Sequence, residues 1–272
     1  MSRAAIVTGA ASGIGRATVE RLVAGGVGVV AVDLDAGGLG WVDDHPAADR
    51  IDTVVGDVSD PATSERAVRV ALDRFDRLDA AALNAGLAVS GGLLDLPLEA
   101  FDRAIDVNLR GAVHGLRAVV PAMRAVGGGR VVVTASTSGL GGDPGLWAYN
   151  TAKGAVVNLV RAAAVDLGAD GITVNAVCPG PTETAMTARL QQLPEAYEDL
   201  RRAIPLQRWG TPDDIAAVIV FLLSPDAGFV NGAVVPVDGG ITASTGQFTP
   251  RPRPDLEREM PDGEATRSEE EP

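Results

Sequence analysis

The sequence predicts one doubly wound α/β domain: a seven-stranded parallel sheet with helices on both faces. Three observations carry this. Short apolar runs alternate with longer amphipathic ones along 272 residues. A glycine-rich turn joins the first apolar run to the first helical pattern, and an acid closes the second run. Glycine numbers 33, and Ala and Val dominate the apolar set, which favours helices packed closely on a buried sheet. This length gives room for one sizeable core, so residues 1–248 read as a single domain.

In chain order, Ala4 to Val7 is a strand that leads into Thr8-Gly9-Ala10-Ala11-Ser12-Gly13-Ile14-Gly15 and a helix from about Arg16 to Ala24. Such a turn lets backbone N–H groups and a helix N-terminus approach a pyrophosphate, which makes Gly9, Ser12, Gly13, Ile14 and Gly15 candidate cofactor contacts. Val27 to Val32 is the second strand, and Asp33 ends it, followed by Leu34. An acid about 20 residues past the glycines is placed for the ribose hydroxyls of an adenosine. No Arg or Lys occurs from Leu34 through Asp49 to receive a 2′-phosphate, so the reading is NAD rather than NADP. A short helix is expected near Trp41. Ile51 to Gly56 is strand three, with Asp57-Val58 at its end, and Pro61 opens a helix to about Phe75. Leu78 to Leu83 is strand four and ends in Asn84-Ala85-Gly86, small enough to let a cofactor ribose approach. Leu98 to Val126 reads as one long helical stretch, with Asn108 in its interior and a kink expected at Pro121.

Strand five, Arg130 to Thr134, delivers the chain to Ser136 and to a Gly-rich loop, Gly139 to Gly145. Tyr149 and Lys153 follow, four residues apart, so a helix stacks them on one face. The chain holds twenty-two Arg and one Lys, and that Lys is Lys153. An ammonium is a compact point charge that a guanidinium does not reproduce. A cation about 4 Å from a phenol, at an effective dielectric near 20, favours the phenolate by roughly 4 kcal/mol, or about three pKa units. That would make Tyr149 a usable acid/base near neutrality, with Ser136 bound to the same substrate oxygen. Ser138 stands nearby, but the spacing selects Ser136.

The helix Thr151 to Leu167 is apolar nearly all round, so its second side needs cover, and a homo-oligomer is expected. Ile172 to Cys178 is strand six, closed by Pro179-Gly180-Pro181-Thr182-Glu183-Thr184. Met186 to Pro205 reads as a mobile lid. Thr211 caps a helix that runs to Leu223, and Phe229 to Val237 is the last strand. Leu94, Leu146, Trp147 and Met186 would give a mainly apolar substrate pocket.

The net charge of −13 argues against a nucleic-acid partner. A lone Cys178 excludes an intrachain disulfide and fits a reducing, cytoplasmic setting. With only His45 and His114 beside that cysteine, no metal-ligand spacing exists. No apolar run reaches the ~18 residues that span a bilayer, and no signal peptide precedes the first strand. Residues 249–272 hold four Arg against eight acids with repeated Pro, and read as a disordered acidic tail.

These residues together resemble the short-chain dehydrogenase/reductase family, from Ala4 to about Ala243. The motifs are Thr8-Gly9-x-x-x-Gly13-Ile14-Gly15, Asp57, Asn84-Ala85-Gly86, Asn108, Ser136, Tyr149-x-x-x-Lys153 and Pro179-Gly180. The resemblance implies a Rossmann-like fold and a nicotinamide-dependent oxidoreductase, commonly a dimer of dimers, with a tetrad of Asn108, Ser136, Tyr149 and Lys153. By the same resemblance Tyr149 is the general acid/base and Ser136 polarises the substrate oxygen. Lys153 holds the nicotinamide ribose, and Asn108 anchors a water. Asp57 and Val58 would meet adenine, and Thr182 and Thr184 would lie near the carboxamide. Two positions depart from the pattern: Ala135 replaces the first of a frequent Ser pair, and Leu83 the first Asn before Asn84. The substrate would be a small secondary alcohol or ketone. A 3-oxoacyl thioester or polyketide-type ketone, or a non-catalytic NAD-binding sensor, is the alternative.

Overall fold

The computed structural model describes residues 3–245. The acidic tail lies outside them. Seven strands form one parallel sheet: β1 (Ala4–Thr8), β2 (Gly28–Asp33), β3 (Ile51–Val55), β4 (Ala80–Leu83), β5 (Gly129–Thr134), β6 (Ile172–Pro179) and β7 (Val234–Val237). Their order is β3-β2-β1-β4-β5-β6-β7, so the chain winds outward from β1, crosses back to β4 and winds out the other way. Between β1 and β4 the direction of winding reverses, and the crevice beyond their C-terminal ends is where such a sheet takes ligands.

Successive side chains in a strand point to opposite faces, so a strand covered on both sides must be apolar throughout. In β1 every residue but one sits in the apolar core: Ile6 faces one layer, and Ala5 and Val7 face the other. The first layer holds α2 (Pro61–Phe75), α4 (Gly111–Ala125) and α5 (Trp147–Leu167), which bring Ala71, Leu116, Met123, Val156 and Val160 onto the sheet. The second holds α1 (Gly13–Ala24) and α8 (Pro212–Leu223), with Val19, Leu22, Ile215 and Ile219 inward. Thr211 caps α8 reciprocally: its hydroxyl accepts from Asp214 N at 3.2 Å, while Asp214 Oδ2 accepts from Thr211 N at 2.8 Å. Trp41 sits in a short 3₁₀ turn, Gly38–Val42.

Three elements differ from expectation. The long stretch after Leu98 is not one α-helix. It is α3 (Leu98–Ile105), a π-helical segment (Asp106–Arg110) and α4, which continues through Pro121. Asn108 explains the break, since its side-chain amide donates to Ala104 O at 3.0 Å, the carbonyl its own N–H would take in an α-helix. The helix that carries Lys153 starts at Trp147 rather than Thr151, placing Tyr149 in its first turn. The last strand begins at Val234 rather than Phe229, because Gly232 adopts φ +74° and the Asn231 side chain, not a strand partner, accepts from Val174 N at 2.9 Å.

Candidate active site

The turn after β1 is shaped by sterics. Gly9 and Gly13 have φ of +71° and +53°, which disfavours any side chain. A Cβ on Gly15 would run into the Gly9 carbonyl, and one on Gly13 would meet Thr184 Cγ2 at 3.3 Å. Thr184 therefore lies against the phosphate-type turn despite its distance in sequence. Ser12 precedes α1 with no side-chain capping bond, and the first turn of α1 holds no acid. An uncapped N-terminus with small residues around it fits a pyrophosphate. Asp33 ends β2 above this turn, its carboxylate accepting from Ala11 N at 2.9 Å and Asp35 N at 3.0 Å. A carboxylate has about four acceptor sites, so ribose hydroxyls still find partners there. Leu34 beside it is exposed. Arg16 stacks over Trp41 at 4.8 Å and is paired with Glu20 at 2.9 Å.

Asp57 is engaged elsewhere. It accepts from Ser59 and, at 2.6 Å, from Arg103, and these hydrogen bonds outweigh burial and hold its carboxyl below the ordinary range. Val58 is buried against the spot where a Gly111 Cβ would stand.

The strand ends β1, β4 and β5 are tied by one chain of hydrogen bonds. Thr8 Oγ1 accepts from Asn84 N and Ala85 N at 2.9 and 3.0 Å, and Thr134 Oγ1 donates to Asn84 Oδ1 at 3.0 Å. Asn108 closes the next corner: its amide donates to Leu87 O at 2.9 Å and its Oδ1 accepts from Leu87 N at 3.2 Å. Gly86 lies where these meet, since a Cβ there would stand 2.7 Å from Asn108 Oδ1 and 3.2 Å from Lys153 Nζ. The ties made by Thr8 and Thr134 carry no signal in the sequence, because strand-end threonines meet their partners only once the strands are neighbours.

Lys153 is buried, 3% exposed, and donates to Thr134 O at 2.8 Å. No carboxylate lies within ion-pair distance among the described residues. Burial without a counter-ion pulls its pKa down to about 8. Its Nζ lies 5.7 Å from the Tyr149 ring centroid. The expected lowering of the phenol by this cation is not what the protein alone exhibits. Burial pushes Tyr149 up, a hydrogen bond with Ser136 opposes that, and the Asp143 and Cys178 charges add to the rise. Removal of water is the largest of these causes.

Pro179 ends β6, and Gly180 packs against Asp238 so closely that a Cβ would stand 2.7 Å from it. Thr182 is buried, and its hydroxyl donates to Gly180 O at 2.9 Å. Above stands the lid segment, folded as α6 (Ala188–Gln191) and α7 (Pro194–Ala203). Tyr197 stacks on Trp209 at 4.7 Å and donates to Glu183 at 2.8 Å. Trp147 stacks on Phe101 at 5.2 Å and donates to Gly92 O. Of the apolar pocket residues, Leu94 and Met186 stand exposed at 94% and 51%, so they rim the cleft rather than line an enclosed cavity.

Residues 9–242 match the family described as Enoyl-(Acyl carrier protein) reductase. Across 252 residues the chain is 40% identical to 2-(R)-hydroxypropyl-CoM dehydrogenase of Xanthobacter autotrophicus, covering 89% of this chain and all of that one. It belongs to the short-chain dehydrogenase/reductase family. Meso-2,3-butanediol dehydrogenase of Serratia marcescens, another member, is 39% identical over 90% of this chain and 97% of its own. The crystal structure of levodione reductase superposes with a TM-score of 0.85 at 39% identity, covering 89% of this chain and 98% of the other. A gluconate 5-dehydrogenase structure from Beutenbergia cavernae, described as putative NAD(P)-dependent and carrying NADP at low occupancy, gives 0.83 at 36% identity over 89% and 97%. As a short-chain dehydrogenase/reductase the chain is an oxidoreductase that uses a nicotinamide dinucleotide.

Proposed function

We propose that this short-chain dehydrogenase/reductase moves a hydride between NAD and a secondary alcohol or ketone, with Tyr149 exchanging the hydroxyl proton. One observation carries the reading: Asn108 Oδ1 and Lys153 Nζ converge on Gly86, at the strand ends beside the glycine turn. The relatives' names, dehydrogenases of hydroxypropyl-CoM and butanediol and a levodione reductase, support the substrate class.

Gly9, Ser12, Gly13, Ile14 and Gly15 would take the pyrophosphate, Asp33 and Leu34 the adenosine ribose, and Asp57 and Val58 the adenine. Asn84, Ala85, Gly86, Tyr149 and Lys153 would hold the nicotinamide ribose. Pro179, Gly180, Thr182 and Thr184 would frame the carboxamide. Bound NAD would supply the hydride acceptor. Ser136 donates to the substrate oxygen, Tyr149 takes or returns its proton, and Lys153 keeps a charge under both. Asn108 fixes the Leu87 corner against which Lys153 packs. Asp33 supports NAD over NADP by repelling a 2′-phosphate, and Arg16, a nearby cation, is already paired with Glu20.

Tyr149→Phe should lower turnover by about 10²–10⁴-fold while NADH binding, read by fluorescence, stays within twofold. Residual activity near wild type would rule out Tyr149 as the proton carrier. Asp33→Ala should move the NAD/NADP ratio of kcat/KM towards NADP by about tenfold, and an unmoved ratio would undo the cofactor assignment.

A homo-oligomer, as a dimer of dimers, is supported by the exposed apolar outer side of α5, where Val165 is 82% exposed beside Ala162. Light scattering at micromolar concentration should give a mass well above 27.8 kDa. A monomer alone would contradict it.

A further inference from the structure

The loop between β5 and α5 holds a carboxylate that the proposed chemistry does not use. Asp143 is exposed, and its Oδ2 accepts the Ser138 hydroxyl at 2.5 Å. Ser138 in turn donates its backbone N–H to Ser136 Oγ at 3.1 Å. Two hydrogen bonds through one residue thus tether the carboxylate beside the hydroxyl that would meet the substrate oxygen. Among the described residues no Lys, Arg or His nitrogen lies within ion-pair distance of Asp143. The adjacent loop adds no cation. Gly91 N donates to Gly145 O at 2.8 Å, which lays residues 91–96 against this one, and their only charged residue is Asp95. Leu94, Leu146, Trp147 and Met186 add apolar surface beside it. The negative charge also reaches the phenol, where it works in the same direction as burial.

We propose that Asp143 is a charge filter on the substrate. The site accepts uncharged secondary alcohols and ketones, and rejects those with a carboxylate, sulfonate or phosphate near the reacting carbon. The filter rests on the oxidoreductase reading above. Two like charges about 8 Å apart at an effective dielectric near 20 disfavour binding by roughly thirtyfold, and screening over one Debye length at physiological salt leaves about fourfold.

The test compares wild type with Asp143→Asn, which can still accept from Ser138, on three probes of similar size with NAD: 2-butanol, 3-hydroxybutyrate and 1-amino-2-propanol. Relative to 2-butanol, kcat/KM for 3-hydroxybutyrate should rise about fourfold in the variant, and that for the amino alcohol should fall. Asp143→Glu should keep the wild-type order. An equal change for all three probes would show that Asp143 only positions Ser138, and would overturn the filter. Should Asp143→Asn fold poorly, wild type alone decides the matter: the penalty on 3-hydroxybutyrate must shrink between 0.02 and 0.5 M NaCl while 2-butanol is unaffected. A penalty indifferent to salt overturns the proposal. Turnover without charge preference sinks the filter and leaves hydride transfer standing, whereas no turnover of any probe counts against hydride transfer itself.

Discussion

The floor of the cleft and the lid above it are built on opposite electrostatic plans. On the floor, Lys153, Asn108, Thr134 and Ser136 are all buried, and their partners are neutral carbonyls, amides and hydroxyls. In the lid, charge meets charge in water: Glu198 takes both Arg201 and Arg202, which holds its carboxyl down to about 2. Arg208 pairs with Asp214 at 2.7 Å just beyond the lid. Exposed pairs of this kind contribute little, because water and salt already solvate both partners. A buried ammonium has no such alternative. The molecule therefore keeps its single lysine where desolvation is severe, and leaves the surface ion pairs to arginine.

The sharpest way to break this contrast is to remove the floor's charge. Lys153→Met should lower turnover by about 10²–10⁴-fold. A variant within tenfold of wild type would mean that the ammonium does not act in the chemistry. A smaller effect appears in stability without cofactor. The unfolded chain holds the lysine proton up to its ordinary pKa of 10.5, while the folded protein releases it near 8. Between those values the unfolded state binds more protons, so wild type should gain stability on Lys153→Met as pH rises, by about 1 kcal/mol from pH 7 to 9. Urea melts of both proteins at pH 7, 8 and 9 read this directly, and a constant difference would contradict the pull on Lys153. Above pH 9 the Cys178 thiol, pushed up to about 11 by burial, keeps a proton that the unfolded chain loses, which lowers the stability of both proteins alike and cancels in their difference. The smallest effect belongs to the lid. Tyr197→Leu removes the stack on Trp209 and the bond to Glu183, and should cost about 1 kcal/mol, or a few degrees in Tm, with kcat within threefold of wild type. A hundredfold loss of kcat would place the lid inside the chemistry.

Much of this architecture is written locally. The seven strands are apolar runs that a fully covered sheet requires, and the glycine turn, the Asp33 terminus and the four-residue step from Tyr149 to Lys153 are short-range patterns. The interior Asn108 was visible as a residue out of place in a helix. Its consequence was not, because a π-helical segment depends on which carbonyl the amide captures, and that capture also involves Leu87, twenty-one residues away. The start of the last strand was misread for a similar reason: Asn231 spends its side chain on Val174 and Ala164, partners brought near only by folding.

The sequence by itself determined the sheet and the glycine turn, because each depends on periodicity or spacing within one or two elements, and its family resemblance named the four catalytic candidates. Only the tertiary structure decided the electrical state of the site. Tyr149 is held up rather than down and Lys153 sits near 8, since a pKa answers to the water removed by distant segments as much as to the nearest charge. It also decided that Thr8 and Thr134 meet through Asn84, a fact that exists only once β1, β4 and β5 lie side by side.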